Sequence, residues 1–247
     1  MAQKQQPAKR MAPVVAAEDI TVEFSTRSAY RLWSGREKTD KRNGILGVAG
    51  FARLLRSMEQ AIRDDDPYAD YHFLQIEEAI EGLAAELDAD LKAMEELIAS
   101  KVPPQMKLAN VVSGDPTVVP VKFSSRLGFN LVYQVLKADQ IALKVLLAAH
   151  LSLISVEEKF SYLANCERKV RAVMNQLFQY RYLGVTRDDM AANNKKAQAA
   201  VSQMGELDEE YLHGTTRSSN APKLPRKRLK TITPEAVEPE AEELQPA

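Results

Sequence analysis

Two short segments carry the side chains best suited to contact another molecule. In each segment apolar residues alternate with polar or cationic ones, so that one side is apolar and the other presents hydroxyls and charges. Such side chains can hydrogen bond to base edges and phosphates in the major groove of DNA, which is wide enough for a two-stranded ribbon. A carboxylate there can accept a hydrogen bond from cytosine N4. The candidates for DNA contact are Thr21, Glu23, Ser25, Arg27, Lys122, Ser124 and Arg126.

The two segments are copies of one pattern. Residues 22–33 align without a gap on residues 121–132, which lie 99 positions further along the chain. The copies share Val, Phe, Ser, Arg and Leu at matching positions, and three further positions hold similar residues. Each copy is typical of a strand that passes through a polar cap into a helix. We therefore expect Arg27 and Arg126 to begin equivalent helices near a pseudo-two-fold axis.

Pro120 restricts where the second strand can lie. Because proline has no backbone N–H, a strand that contains it must lie at an edge or be unpaired on the proline side. A two-stranded ribbon satisfies this condition, since each of its strands has one free edge. We therefore predict that strands at about 20–26 and 118–124 pair within the chain. The alternative interpretation is a small structural sheet, whose exposed residues are polar only because they face water.

In the rest of the chain, apolar residues recur at spacings of three and four, which predicts helices. The fold class is therefore mainly α with a small two-stranded antiparallel β-ribbon (α+β). We expect a single domain at 18–205, a disordered segment at 1–17, and a disordered tail at 206–247 with a basic run and an acidic end. The longer predicted helices lie at about 45–63, 68–100, 126–151 and 155–182, and the polar side of helix 68–100 is strongly acidic.

Charge is unevenly distributed along the chain, although the formal net charge is only -1. Residues 1–44 carry 9 Lys or Arg against 5 Asp or Glu, residues 53–100 carry 4 against 13, and residues 101–205 carry 14 against 7. An acidic middle therefore separates two basic regions, and each basic region holds one copy of the repeat. The tail adds a weaker candidate for phosphate contact, which a solubilising linker would explain as well. This basic run contains Arg226, Lys227, Arg228 and Lys230.

Catalytic and ligand-binding patterns are missing from the sequence. The three histidines are far apart, Cys166 has no His or Asp at a catalytic spacing, and no glycine motif for phosphate or dinucleotide binding occurs. The acidic run Asp64, Asp65, Asp66 and Asp70 lacks the alternating ligands of a calcium loop, so we interpret it as a solvated cap of the next helix. We predict no enzyme activity, no cofactor and no metal site.

Cysteine content and hydropathy indicate the compartment. Cys166 is the only cysteine, so the chain cannot form an internal disulfide and fits a reducing cytoplasm. The longest apolar stretch, 141–154, is interrupted by Lys144 and His150, and it is shorter than the roughly 20 residues of a membrane span. We therefore predict a cytoplasmic protein with no membrane partner.

Four segments of the chain carry a resemblance to known proteins. The segments are Thr26-Arg27 with Leu32-Trp33-Ser34-Gly35-Arg36, Asp65-Asp66-Pro67-Tyr68-Ala69-Asp70, Val119-Pro120-Val121-Lys122-Phe123, and Arg181-Tyr182-Leu183-Gly184-Val185-Thr186-Arg187-Asp188-Asp189. They resemble a family of proteins encoded on bacterial integrating conjugative elements, the AcaB-like transcriptional regulators, over about residues 18–205. The resemblance implies a bacterial protein with a ribbon-helix-helix-like core, DNA binding and control of transfer genes, and it supplies no functional motif for single residues.

Two functional hypotheses follow from these patterns. In the first, the chain is a DNA-binding transcriptional regulator or accessory factor of an integrating conjugative element, and the ribbon contacts double-stranded DNA. In the second, it is a non-catalytic helical interaction protein of the conjugative transfer machinery, and the acidic helix 68–100 docks on a protein partner. The sequence does not specify the oligomeric state.

Overall fold

Two strands, each followed by a pair of helices, frame the fold. The computed structural model describes residues 20–108 and 115–225. In chain order the elements are β1 (Thr21–Phe24), α1 (Arg27–Ser34), α2 (Val48–Arg63), α3 (Pro67–Lys101), β2 (Thr117–Pro120), α4 (Arg126–His150), α5 (Val156–Asn175), a 3-10 turn (Gln176–Gln179), α6 (Arg187–Ala191), α7 (Lys195–Met204) and α8 (Glu209–His213).

The strands β1 and β2 form a two-stranded antiparallel sheet, as predicted. Thr21 faces Pro120, and Val22 faces Val119. Thr21 and Pro120 are in register when the two copies of the repeat are aligned. Because these two residues also face each other, the antiparallel pairing of the copies is centred on them. The backbone N–H of Val121 donates a 2.7 Å hydrogen bond to the carbonyl of Ile20 and extends the pairing by one step.

Each strand passes into its helix through a capped junction. Thr26 is the N-cap of α1, and its side chain accepts from the N–H of Ala29. The equivalent residue Ser125 is the N-cap of α4 and accepts from the N–H of Gly128. Arg27 and Arg126 are therefore the first residues of equivalent helices, as the repeat predicts.

Carboxylates from neighbouring helices fix both junctions. The buried Asp139 of α4 accepts from the backbone N–H groups of Ser25 and Thr26 at 2.8 and 2.9 Å. It also accepts from the hydroxyl of Thr26 at 2.5 Å. At the second junction the Ser125 hydroxyl donates to Glu59 of α2 at 2.9 Å. These bonds hold the ribbon in a defined position relative to α2 and α4.

Helix α3 forms the spine of the core and packs against α2, α4 and α5. Its acidic side is partly covered by lysines, because Lys137 and Lys144 of α4 and Lys169 of α5 form ion pairs with it. The partners Asp88, Glu95 and Asp90 lie 2.6, 3.2 and 2.7 Å from these ammonium groups, respectively. These pairs occupy part of the surface that the second hypothesis assigns to a protein partner.

Close backbone contact joins the end of α1 to the start of α2. A Cβ atom on Gly47 would lie 2.4 Å from the carbonyl oxygen of Trp33, so only glycine fits there. Gly35 ends α1 with a φ of 65°, which glycine adopts without strain. Glycine at position 47 thus allows the two helices to approach closely.

The end of the described chain differs from the sequence expectation. We expected disorder from residue 206, but residues 206–225 pack on the domain. Leu224 is buried in the core, and the side chains of Ser219 and Asn220 donate to Glu77 of α3. Composition indicated disorder because this segment has few apolar residues, whereas polar contacts with carboxylates of α3 hold it. The expectations for 1–17 and 226–247, including the basic run, lie outside the described residues.

Candidate nucleic-acid interface

The outward side of the ribbon is open to solvent. Phe24 is buried and Val22 is half-buried against the helices, whereas Thr21, Glu23 and Lys122 are exposed. Val118 and Pro120 share this outward side and are also exposed. The outward side therefore carries the carboxylate of Glu23, the ammonium group of Lys122 and the apolar side chains of Val118 and Pro120.

The other sequence candidates lie where the strands meet the helices. Arg27, Ser124 and Arg126 are exposed. Ser25 is half-buried, and its backbone N–H is bound to Asp139. Ser25 is thus the least accessible of the seven candidates.

A row of arginines on α2 flanks the ribbon. Arg53, Arg56 and Arg63 are exposed on the polar side of the helix. Arg53 and Arg56 line a groove of about 490 Å³ together with Lys122. All three arginines line an adjoining groove of about 510 Å³, which reaches Ser124. We call the surface formed by Arg53, Arg56, Arg63 and Lys122 the basic groove.

The cations of the basic groove are largely free of carboxylate partners. Within residues 20–108 and 115–225, no ion pair involves Arg53, Arg56 or Lys122. Arg63 lies 4.0 Å from Glu59, at the limit of an ion pair. Exposed cations without internal partners are available to bind an anionic molecule.

Charge counted over residues 53–100 does not reveal these arginines. That range includes the acidic helix α3, whose carboxylates outweigh them. Helix α2 alone contains three arginines and one glutamate. Arg53, Arg56 and Arg63 are spaced by three and seven residues, which places them on one side of a helix. Charge counted for each predicted helix would have revealed them.

Trp33 packs against the buried side of the ribbon. Its ring lies 5.5 Å from that of Phe24 and 6.4 Å from that of Phe123, measured between centroids. These two phenylalanines are equivalent positions of the repeat. The tryptophan therefore packs against both copies of the repeat, and it lines the groove that Arg53, Arg56 and Lys122 also line.

The acidic run between α2 and α3 is structural. Asp66 caps α3 as predicted, since its side chain accepts from the N–H groups of Tyr68 and Ala69. The run is not solvated, however, because Asp65, Asp66 and Asp70 are buried. Burial raises the pKa of the Asp66 carboxyl, although the hydroxyl of Tyr180 donates a 2.8 Å hydrogen bond to it.

Two arginines form ion pairs with carboxylates of this run. The side chain of Arg187 is 2% exposed and lies between Asp65 and Asp70, at 3.2 and 2.8 Å. Arg217 reaches Asp70 at 2.5 Å from the packed segment after α8. We call Asp65, Asp66, Asp70, Arg187 and Arg217 the buried charge cluster. No group of His, Cys, Asp and Glu within the described residues is arranged to hold a metal ion.

We expect Cys166 to react slowly with alkylating reagents in the folded protein. Burial raises the pKa of its thiol from 9.0 to about 12. At pH 8 the thiolate fraction then falls from about 0.1 to about 10⁻⁴, and the thiolate is the nucleophile. Mass spectrometry after iodoacetamide treatment should show alkylation at least about 100-fold slower in native than in guanidinium-denatured protein. Equal rates in the two states would contradict the buried position.

Within the described residues, no helix combines the length and the apolar character that crossing a membrane requires.

Comparison with known proteins places this architecture in a family. The family model described as "Transcriptional regulator AcaB" matches residues 15–225. The crystal structure of selenomethionine-containing AcaB from uropathogenic E. coli is similar, with a TM-score of 0.53 and 12% sequence identity. The match covers 78% of this chain and 94% of the other, so the two share a fold. No curated protein matches the chain. Because the family model spans most of its length, this chain belongs to the AcaB family of transcriptional regulators.

Proposed function

We propose that this protein is a DNA-binding transcriptional regulator or accessory factor of an integrating conjugative element. The outward side of the ribbon enters the major groove, and the basic groove binds the phosphates beside it. The observation that carries the proposal is the position of the arginine row, because Arg53 and Arg56 share a groove with Lys122, two residues after β2. The family supports the regulatory role, and the resemblance to proteins of conjugative elements supports the genetic context.

The arrangement of the helices supports a ribbon-helix-helix-like core within one chain. β1, α1 and α2 form the first unit, and β2, α4 and α5 form the second. Across the units α1 packs against α4 and α5, and α4 packs against α2. The pairing of Thr21 with Pro120 lies at the centre of this arrangement. A single chain thus provides the two strands that ribbon proteins otherwise obtain by dimerisation.

The dimensions of the ribbon fit the major groove. The two paired strands lie about 4.8 Å apart across the ribbon. The major groove is about 12 Å wide and admits a two-stranded ribbon. Thr21 and Glu23 are then the side chains that can reach base edges, and Val118 can contact a thymine methyl group. The tail residues Arg226, Lys227, Arg228 and Lys230 would add phosphate contacts.

Arginines suit the phosphate role assigned to α2. Their planar guanidinium groups can donate two parallel hydrogen bonds to phosphate oxygens. Contacts of this kind fix the position of a protein on the duplex, whereas base contacts provide sequence specificity. The basic groove therefore supplies affinity and orientation, and the ribbon supplies discrimination.

A titration of the full chain with double-stranded DNA from the element tests the proposal. Fluorescence anisotropy at several salt concentrations should show binding that weakens steeply as salt rises, because bound phosphates release counterions. Duplexes that cover the upstream regions of the transfer genes should include one that binds more tightly than unrelated DNA of equal length. Binding that is absent, or independent of salt, would refute DNA recognition.

Removing Lys122 and Arg126 should weaken this binding. If each contacts one phosphate, the double variant Lys122→Ala/Arg126→Ala lowers the slope of log K against log salt by about 1.8. The corresponding loss of affinity at 0.2 M salt is about 20-fold. The same titration measures both values, and unfolding by urea checks that the variant folds. An unchanged slope would exclude these side chains from the interface.

A further inference from the structure

We propose that the acidic segment 235–243 of this chain occupies the basic groove in the free protein, and that DNA must displace it. Tail and DNA then compete for one surface, so the tail sets the threshold for DNA binding. The docking of the segment stands independently of the proposed function, whereas the competition rests on it.

A series of contacts connects the end of the described chain to the end of α2. Leu224 is buried, and both it and the guanidinium of Arg187 lie against Gly214, at 3.1 and 3.4 Å from the position of a Cβ atom there. Arg187 in turn lies 3.2 Å from Asp65, which follows Arg63 by two residues. Pro225 is thus anchored on the side of the domain where α2 ends.

The tail is long enough to reach the whole row. Glu235 lies ten positions after Pro225, and ten residues of extended chain span up to about 33 Å. From Arg53 to Arg63 helix α2 rises only about 15 Å, at 1.5 Å per residue. The acidic segment can therefore lie along the arginines even if its path from Pro225 is indirect.

Charge complementarity identifies the acidic segment as the occupant. Residues 235–243 contain five glutamates, and residues 231–247 contain no lysine or arginine. The basic groove offers four cations, of which three have no ion pair within the described residues. Single exposed ion pairs are weak and are screened by salt. A short tether raises the effective concentration of the segment at the groove to the millimolar range, which makes a weak contact populated.

DNA can displace such a contact because its phosphates are more densely spaced. Duplex DNA carries one charge per about 1.7 Å of its axis, and its binding releases condensed counterions. The acidic segment has five charges over nine residues and no comparable counterion layer. We therefore expect DNA that contacts both the ribbon and the basic groove to displace the segment. Molecules that contact the groove more weakly should not displace it.

Paramagnetic relaxation in the full chain tests the docking directly. A nitroxide is attached at Gln245→Cys in a Cys166→Ser background, so that all five glutamates remain. At low salt we expect broadening of the arginine Nε–H signals of Arg53, Arg56 and Arg63. The broadening should disappear at about 0.5 M salt, where charges are screened within a few ångströms, and in a variant with all five glutamates replaced by glutamine. If no broadening occurs, or if it is confined to residues 226–230, the docking is refuted.

DNA affinity tests the competition. The variant Glu235→Gln/Glu238→Gln/Glu240→Gln/Glu242→Gln/Glu243→Gln should bind DNA about tenfold more tightly at low salt, if the effective concentration of the tail is about ten times its dissociation constant. The matched control replaces five exposed glutamates elsewhere and changes the net charge equally. These control substitutions are Glu81→Gln, Glu96→Gln, Glu157→Gln, Glu206→Gln and Glu209→Gln.

The two measurements separate failure of this proposal from failure of DNA binding. Equal affinities of the tail variant and the control would overturn the competition, even if broadening shows that the tail docks. Loss of the broadening on addition of DNA would support competition. A chain that binds no DNA but shows the broadening would refute the proposed function and the competition, and it would leave the docking supported.

Discussion

Replacing Arg187 by methionine is expected to lower the free energy of unfolding by about 3–5 kcal/mol. The guanidinium lies between Asp65 and Asp70 and also donates to the carbonyls of Tyr211 and Leu212. Methionine has a comparable length but removes the charge, so two buried carboxylates lose a cation that offsets their desolvation. Urea unfolding, followed by circular dichroism, measures the change.

Arg181→Met provides the matched control. Arg181 lies in the same segment of the chain but is exposed, so its replacement should change stability by no more than about 0.5 kcal/mol. A second variant, Arg187→Met/Asp65→Asn, should recover part of the loss because a neutral amide is less costly to bury than a carboxylate, while Asp70 keeps its contact with Arg217. Equal stability of the two single variants would show that the buried charge cluster contributes little.

The buried charge cluster explains two of the segments on which the family resemblance rests. Asp65 to Asp70 and Arg181 to Asp189 are far apart in the sequence, yet Arg187 joins them. The other two segments also meet, since Trp33 packs against Phe123 beside the paired strands. The four segments of the family resemblance therefore mark one structural junction, the buried charge cluster, and one candidate interface, the ribbon.

The ribbon was predictable from sequence because local rules determine it. Alternating polarity indicates a strand, Pro120 requires a free edge, and hydroxyl residues at the N-cap begin the helices. The repeat added the pairing, because only two segments of the chain have this pattern. The strands are shorter than predicted, since each backbone turns toward its N-cap, Thr26 or Ser125, before the alternation ends.

The features that sequence reasoning missed depend on contacts between distant residues. Arg217 of the presumed tail binds Asp70, which lies 147 residues earlier. No periodic pattern announces such a pair, so composition classed the segment around Arg217 as disordered. The basic groove was missed for a related reason, because Lys122 joins the arginines of α2 only through the pairing of the strands.

The variant Arg53→Ala/Arg56→Ala/Arg63→Ala should have the largest effect on DNA binding. If each arginine contacts one phosphate, the slope of log K against log salt falls by about 2.7, and the affinity at 0.2 M salt falls about 80-fold. The three side chains are exposed, so the fold should be preserved. Anisotropy titrations over a range of salt concentrations, with a duplex that the native chain binds, measure both quantities.

A control variant with the same loss of charge distinguishes the basic groove from the general electrostatic field. Arg168→Ala/Lys195→Ala/Lys196→Ala removes three exposed cations on α5 and α7, and long-range attraction should fall equally in both variants. Because none of these three cations is expected to contact phosphate, the control should keep nearly the full salt slope. Similar slopes for the two variants would mean that α2 does not touch the DNA. The ribbon would then have to bind DNA without the arginine row. This result would favour the second hypothesis, in which the acidic helix 68–100 docks on a protein partner.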